Sequence, residues 1–370
     1  MRLLDRYLLR ELLIPLGYCL SGFLIFWISS DLITNLDEFQ QERLTGLEVA
    51  EYYLIRLPDL LVLVIPVALL LALLYALTNH ARHHELTAMR AAGLSLWRLC
   101  LPYFAVGLGL SGAVYVANEH WAPRGEEYAE QLRERHTTNP AERGWKTDLT
   151  FRNDRNDRFW RIRGFNVETG EMREPYVEWT LANGGRRQVL AERGWYTKGI
   201  WTFANVRHFF PDSTPDLPPL QQQLPELAVP EFSETPEQIQ SEIKISQLGS
   251  LKAARKVQLS IREILNYKLL HPELTPEKRA LLDSKLHARL AAPWTCLVVV
   301  LMAVAFGAPS GRRNVFVGVA SSIFICFAYF AIQQFTLVLG VAGKLPSLLA
   351  GWLPNALFGA AGLLLIARVR

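Results

Sequence analysis

The sequence has none of the short motifs with which enzymes usually hold phosphates, catalytic metals or nucleophiles. Its 370 residues contain no GxxxxGK(S/T) phosphate loop, no HExxH pair and no GxSxG turn, and no GxGxxG follows a predicted strand. We therefore expect no catalytic residue and no cofactor in this chain. If its function consumes ATP, another subunit must bind the nucleotide.

Cysteines and basic clusters are also scarce. The four cysteines lie far apart in apolar segments without CxxC or histidine-ligand spacing, which predicts small buried side chains rather than disulfides or a metal site. The formal net charge is +4, and no run of lysines and arginines is typical of nucleic-acid binding. Nucleic acid is therefore not expected as a partner. The cysteines are Cys19, Cys100, Cys296 and Cys326.

Charged residues are concentrated in the middle of the chain. Residues 119–289 hold 26 Lys and Arg and 25 Asp and Glu, whereas the other 199 residues hold only 13 and 10. The flanking regions contain six apolar segments long enough to cross a bilayer, which takes about 20 residues each. A soluble two-domain protein is excluded, and the first segment is not expected to be a cleaved signal peptide. The predicted spans are Leu12–Ser30, Leu54–Leu77, Leu99–Ala117, Ala291–Ala308, Val315–Leu339 and Leu348–Ala367.

The arginines predict the orientation of these spans. An even number of spans places both termini on one side, and arginine is enriched on the cytoplasmic side of membrane proteins. We therefore predict cytoplasmic termini, three spans in residues 1–118, an external domain in 119–289 and three spans in 290–370. The arginines on the predicted cytoplasmic side are Arg2, Arg6, Arg10, Arg82, Arg90, Arg98, Arg312, Arg313, Arg368 and Arg370.

The external domain shows strand periodicity. In residues 159–163, Trp160 and Ile162 alternate with Arg161 and Arg163, which indicates a half-buried antiparallel strand. A glycine-containing turn inside 194–203 indicates a hairpin. We predict an antiparallel jellyroll-like sheet over about 147–230, with a proline-rich segment at 211–236 that excludes helix. A helical return over 237–289 is predicted, with helices at 245–270 and 276–290.

The loop after the second span carries the most informative polar pattern. Leu86, Met89, Gly93 and Leu96 recur at helical spacing, which predicts a short amphipathic helix at about 82–97. Two interpretations stay open: the helix lies on lipid headgroups, or it docks in a groove on a cytosolic partner. Glu85, a carboxylate among basic residues, favours the protein groove.

Several motifs together resemble the LptF/LptG permease family of the lipopolysaccharide export transporter. They include residues 4–7 (Leu-Asp-Arg-Tyr), 84–93 around Glu85, 118–123 after the third span, and Arg289 with Pro293 before the fourth. The ending is the most specific, with Leu-Gly-Val-Ala-Gly-Lys-Leu-Pro at 339–346 and Trp-Leu-Pro-Asn at 352–355. The opening motif favours LptG over LptF.

The resemblance implies a non-catalytic inner-membrane subunit with six helices and a periplasmic β-jellyroll. The implied partners are a second permease subunit, a dimeric LptB-like ATPase that uses the ATP, LptC-like and LptA-like periplasmic proteins, and lipopolysaccharide. The lipid would enter between the first span of one subunit and the fifth of the other. The carried-over ATPase contacts are Glu85 as the docking charge, Leu86, Met89 and Gly93 as the docking face, and Arg90 beside them.

Lipid contacts are predicted in two places. On the sheet, we expect the lipid along the inner face at Trp160 or Ile162. At the external end of the first span, relatives often carry basic residues, but here residues 31–38 are acidic. Headgroup contact then falls to Arg43 and Arg56, or to the partner subunit, with ordinary interfacial anchoring as the alternative role.

Two other functions are weighed against transport. One is a structural or regulatory membrane protein whose sheet domain only binds a periplasmic partner. The other is a membrane enzyme, which is disfavoured because no nucleophile with its base and no metal cluster is apparent at membrane depth.

Overall fold

The computed structural model describes residues 3–133, 135–136, 142, 144–180, 186–210, 220–246, 259–307 and 315–368. The chain divides into a helical unit, Met1–Ala129 with Thr275–Arg370, and a central unit, Glu130–Leu274. Some residues used in the predictions lie outside the described part, namely 211–219, Arg2, Arg312, Arg313 and Arg370.

Six helices are long and apolar enough to cross a membrane, as the sequence predicted. A π-helical turn at Ala117–Trp121 and a 3-10 turn at Ala292–Trp294 join consecutive helices. In chain order the helices are α1 (Leu3–Gln41), α2 (Gly46–Arg82), α3 (Glu85–Ala91), α4 (Leu96–Val116), α5 (Ala122–Arg133), α6 (Pro236–Ser246), α7 (Ile261–Leu270), α8 (Pro276–Ala291), α9 (Thr295–Gly307), α10 (Val315–Val341) and α11 (Ser347–Arg368).

The first two helices extend well past their predicted apolar spans. At 1.5 Å per residue, α1 and α2 are about 58 and 55 Å long, whereas the apolar core of a bilayer is about 30 Å thick. Hydropathy identifies only the apolar part of each helix, so polar extensions are missed. The turn between them ends at Thr45, whose hydroxyl accepts from the Glu48 amide while the Glu48 carboxylate accepts from the Thr45 amide at 2.9 Å.

Helices α2 and α9 form the centre of the helical unit. Leu69 and Leu73 of α2 and Val300 and Ala303 of α9 are fully buried in one apolar core. In the most apolar stretch of each helix, 67% of α2 is buried, against 11% of α1 and 17% of α10. The first and fifth spans are therefore the ones least covered by the rest of the chain.

A fully paired polar network crosses this apolar unit. The Tyr329 hydroxyl of α10 donates to the Asn355 side chain of α11 at 2.7 Å and lies 2.8 Å from the Thr295 hydroxyl of α9. The Asn355 amide donates to the Ala291 carbonyl at 2.8 Å. Because each buried polar group finds a partner, the network links the last three spans without leaving unsatisfied groups in an apolar setting.

The central unit contains one sheet of seven described strands. All pairings between these strands are antiparallel, which confirms the predicted antiparallel sheet. The strands are β1 (Trp145–Asn153), β2 (Arg158–Asn166), β3 (Met172–Thr180), β4 (Arg186–Leu190), β5 (Arg193–Thr197), β6 (Ile200–Phe210) and β7 (Leu220–Val229). Consecutive strands pair with each other except β4 and β5, which both lie between β3 and β6, so the connectivity is a meander.

The predicted alternation on β2 is confirmed. Trp160 and Ile162 are fully buried while Arg161 and Arg163 are exposed. The predicted hairpin is also confirmed, because Lys198 and Gly199 form the two-residue turn between β5 and β6. Both have positive φ, 51° and 86°, as the type I′ turn of tight hairpins requires.

The sheet curls around an aromatic core. Three strand spacings separate β2 from β6, which is about 14 Å in a flat sheet. The rings of Trp160 and Trp201, on these two strands, nevertheless have centroids 6.1 Å apart. Phe232 lies against the Trp160 and Trp179 rings at 5.2 and 5.3 Å. The inner face of the sheet is therefore filled by the chain's own side chains.

A segment after β7 covers this inner face. Phe232 and the α6 residues Ile239 and Ile243 belong to the same buried cluster as the strand residues. A buried ion pair holds the segment, because Arg158 of β2 donates to the fully buried carboxylate of Glu234. The Asn153 amide donates to the other Glu234 oxygen at 2.7 Å, so this carboxylate is paired on both oxygens.

The prediction of one continuous helix over residues 245–270 is wrong, because the helix is interrupted. Leu259 and Ser260 are not helical, and Ser260 begins α7 with a capping box in which its hydroxyl accepts from the Glu263 amide and Glu263 accepts from its amide. The sequence pattern did not reveal this helix start, because a serine followed by a glutamate three residues later also fits a helix interior. Residues 247–258 lie outside the described part.

Close backbone contact in the helical unit leaves no room for a side chain at Gly351. A Cβ atom at Gly351 of α11 would lie 2.5 Å from the His287 carbonyl carbon of α8, a rigid backbone atom. We expect Gly351→Ala to lower the stability of the purified protein by about 1–3 kcal/mol or more, measured by thermal unfolding in detergent. Gly359→Ala on the same helix is the control, because its Cβ would have an ordinary contact of 3.8 Å with Val298. Equal effects of the two changes would contradict this packing.

His271 predicts a pH dependence of the central unit. Its Nε2 lies 2.6 Å from Glu242 of α6 and its Nδ1 2.7 Å from Asp154 after β1. Burial alone lowers the pKa of His271, but the two carboxylates outweigh burial and hold it above its ordinary value.

A raised folded-state pKa means that the stabilisation is complete below the unfolded pKa of about 6.5 and is lost as pH rises through the folded value. We expect urea unfolding of the full-length protein in detergent, followed by tryptophan fluorescence, to show lower stability of the central unit at pH 9 than at pH 6. His271→Gln should remove most of that difference, and an unchanged pH profile would refute the assignment.

Candidate functional site

The loop between the second and third spans is built from turns around a very short helix. α3 covers only Glu85–Ala91, less than the predicted helix at 82–97. His84 precedes it with a left-handed φ of 61°, and Gly93 follows it with a φ of 85°. Ser95 then caps α4 by accepting from the Arg98 amide. Helical spacing continued through this loop in the sequence, but the glycine and the serine cap end one helix and begin another.

Glu85 lies at the start of α3 and is bound within the chain. Its Oε2 accepts hydrogen bonds from His80 Nδ1 of α2 at 2.7 Å and from the Tyr7 hydroxyl of α1 at 3.0 Å. Desolvation raises the pKa of Glu85, but these two donors outweigh it and hold the pKa below its ordinary value. Glu85 is therefore ionised at neutral pH, and its carboxylate is already hydrogen-bonded to α1 and α2.

Some residues of the predicted docking face are buried in the protein and others are exposed. Leu86 is only 5% exposed and packs in the core of the helical unit, and Met89 is half-buried against the same core. Arg90 and Gly93 are exposed and line an open cleft whose other wall includes Ile366 of α11. The five predicted ATPase contacts therefore do not form one outward face. The outward face of α3 consists of Thr87, Ala88, Arg90 and Ala91.

A second polar link joins α1 to this loop. Arg98 of α4 donates to the Asp5 carboxylate of α1 at 3.0 Å, with Asp5 17% and Arg98 31% exposed. Tyr7, His80 and Arg98 were not among the residues predicted for the coupling site. Asp5 and Tyr7 fall within the opening motif, which was the one available signal. His80 and Arg98 lie beside the predicted spans, where nothing in the sequence pattern indicates that they bind Glu85 and Asp5.

The opposite ends of α1 and α2 hold the two predicted headgroup arginines. Arg43 is exposed, with a left-handed φ of 56° in the turn after α1. Arg56 instead donates to the Tyr52 hydroxyl at 2.7 Å and lies over that ring at 5.6 Å. The Tyr53 hydroxyl donates to Asp31 at 2.9 Å. The acidic end of the first span is therefore partly used for internal pairing between the two helices.

The predicted lipid contacts on the sheet are enclosed. Trp160 and Ile162 each have no exposed surface, because Phe232 and α6 cover the inner face. A lipid reaches these two side chains only if that covering segment moves. In the described residues, no group of three or more histidine, cysteine or acidic side chains is arranged to hold a metal ion.

Wide apolar surfaces on α1 and α10 complete the candidate site. Both helices carry large side chains that are more than 60% exposed, although they belong to apolar spans. Such surfaces mark contact with lipid or with another protein. They include Ile25, Phe26 and Ile33 on α1, and Phe324, Phe327, Phe335 and Val338 on α10.

The inward position of Leu86 can be tested by stability. We expect Leu86→Ala to destabilise the protein by about 2–5 kcal/mol, because it removes a fully packed side chain and leaves a cavity. Leu47→Ala in the first turn of α2 is the control, since Leu47 is 79% exposed. Thermal unfolding in detergent measures both, and a loss at Leu47 as large as at Leu86 would show that Leu86 does not pack inward.

Comparison with known proteins identifies the family. The model of the family described as Lipopolysaccharide export system permease LptF/LptG matches residues 6–368, nearly the whole chain. It covers both subunit types and does not distinguish LptF from LptG. A search of curated proteins finds no significant match. With six membrane-type helices and an antiparallel sheet unit inserted after the third, the chain belongs to the LptF/LptG family of lipopolysaccharide export permeases.

Proposed function

We propose that this chain is one of two permease subunits of an ABC-type transporter in the bacterial inner membrane. It extracts lipopolysaccharide from that membrane and passes it to a periplasmic bridge, while a separate dimeric cytosolic ATPase supplies the energy. Both termini and α3 lie in the cytoplasm, and the central unit lies in the periplasm. The chain itself carries no catalytic role and needs no cofactor.

The exposure of α1 and α10 is the observation that carries this proposal. These are the first and fifth spans, and only 11% and 17% of their most apolar stretches are buried, whereas the second and fourth spans are 67% buried. Two uncovered apolar helices suit a lipid that enters sideways between the first span of one subunit and the fifth of the other.

The outward face of α3 is the proposed ATPase contact. Thr87, Ala88 and Ala91 are small and exposed, so a groove on a partner can approach the helix backbone closely. Arg90 adds a charge at the rim. Leu86 and Met89 hold the helix in place from beneath, and Glu85 braces it against α1 and α2. A partner can therefore dock on this face while Leu86 stays packed in the core.

The central unit is the proposed receiver of the lipid. Its inner face is lined by Trp160, Trp201 and Phe203, an apolar surface suited to acyl chains. We propose that the lipid gains access when the segment from Phe232 to Ile243 moves away from the sheet. Strands β1 and β7 each pair on one side only among the described residues, so either edge offers backbone groups to an LptC-like or LptA-like bridge.

Reconstitution tests the proposed function. The chain is coexpressed with a second permease subunit and the ATPase, and the purified complex is placed in liposomes with lipopolysaccharide and a soluble bridge protein. We expect ATP-dependent transfer of lipopolysaccharide to the bridge. Ala91→Arg should weaken ATPase binding by at least about tenfold, equivalent to about 1.4 kcal/mol, because it places a long cation on the docking face.

Ala50→Arg near the start of α2 is the matched control, since it makes the same change at an exposed alanine outside the loop. It should leave ATPase binding unchanged. A purely structural or regulatory protein would instead bind a periplasmic partner without any ATP-dependent lipid transfer. That outcome in the wild-type complex would overturn the proposed function.

A further inference from the structure

The amino-terminal end of α1 is bonded to the α3 loop at two separate points. The Tyr7 hydroxyl donates to Glu85 of α3 at 3.0 Å, and Asp5 accepts from Arg98 of α4 at 3.0 Å. Residues 5 and 7 thereby contact both sides of the loop that begins after α2. We call these two contacts the α1 tie.

The covalent path between the same groups is much longer. Along the chain, 78 residues separate Tyr7 from Glu85, because the backbone runs up α1, through the turn at 42–45 and back down α2. Each of those helices is more than 50 Å long at 1.5 Å per residue. A displacement of α3 therefore reaches α1 directly only through side chains at this end.

Apolar packing makes the start of α1 a rigid segment, so that a displacement of α3 moves it as a whole. Leu8, Leu12 and Leu16 are at most 5% exposed and belong to the same core as Leu86. From residue 17 the helix has no further buried side chain until Phe39. The tied end is thus firmly packed, whereas residues 17–38 carry only partly buried or exposed side chains and are less restrained within this chain.

The Tyr7 contact of the tie contributes little to the stability of the fold. Tyr7 is 40% exposed, so loss of its hydroxyl leaves no buried group unpaired, and Glu85 keeps the hydrogen bond from His80 at 2.7 Å. Tyr7 also approaches the His80 ring, with centroids 5.7 Å apart, and a phenylalanine retains that contact. Removal of the hydroxyl therefore changes the link between α1 and α3 and little else.

We propose that Asp5 and Tyr7 are positioning residues that transmit movement of the α3 loop to α1, so that docking or release of the ATPase shifts the first span. This inference rests on the proposed function, because it assigns to α1 the part of a lipid gate. The tie makes the start of α1 and the docking helix move as one body.

The test uses the complete reconstituted complex with Tyr7→Phe, and with Asp5→Asn as a second variant. ATPase activity and lipopolysaccharide transfer to the bridge protein are measured in the same liposomes. We expect both variants to assemble, to melt within a few degrees of wild type and to hydrolyse ATP. The lipid transferred per ATP should fall roughly fivefold, the lower end of typical coupling between sites.

Tyr18→Phe is the matched control, since Tyr18 also lies on α1 but is 75% exposed and its hydroxyl has no partner among the described residues. It should keep the wild-type ratio. A wild-type ratio in both Tyr7→Phe and Asp5→Asn would overturn the inference, as would a fall in the ratio that only accompanies lost assembly or lower melting temperature. Absence of ATP-dependent transfer by the wild-type complex would instead overturn the proposed function.

Discussion

The packing of α2 against α9 is the interaction on which the rest of the helical unit depends. Side chains of both helices, including Leu69, Leu73, Val300 and Ala303, have no exposed surface, and the other helices are arranged around them. Close approach without large voids is the main source of helix association where lipid offers no hydrophobic driving force. Because this pair supplies the core, α1 and α10 remain largely uncovered, and these are the surfaces that the proposed transport uses.

An apolar core of this kind moves most polar interactions to the ends of the helices. At one end, α1 is bonded to the loop through Tyr7 and Glu85, and at the other end Asp31 pairs with Tyr53. One exception is the chain of Thr295, Tyr329 and Asn355, which is tolerated because its groups satisfy one another. Helix ends are also where partner proteins and lipid headgroups meet a transporter. The same residues that join the helices are therefore placed to respond to binding.

Much of the fold follows from periodicity and hydropathy, and the site follows less well. Six spans, the antiparallel sheet and the inward position of Trp160 and Ile162 were all predicted, because each depends on a repeating local pattern. The break before α7 was missed because Ser260 and Glu263 also fit a continuing helix. Leu86 was expected on an outer docking face, yet it packs inward. An amphipathic stripe shows that one face is apolar, but it does not show what covers that face.

The sequence by itself determined the family, the number of spans, the kind of sheet and the position of the loop that carries α3. These depend on composition and on residues close together along the chain. Only the tertiary structure decided that Glu85 is shared by Tyr7 and His80, that Phe232 closes the inner face of the sheet, and that α1 and α10 lie uncovered. The reason is physical: a hydrogen bond or a packing contact depends on distance in space, and residues 7 and 85 become neighbours only after two long helices have folded back on each other.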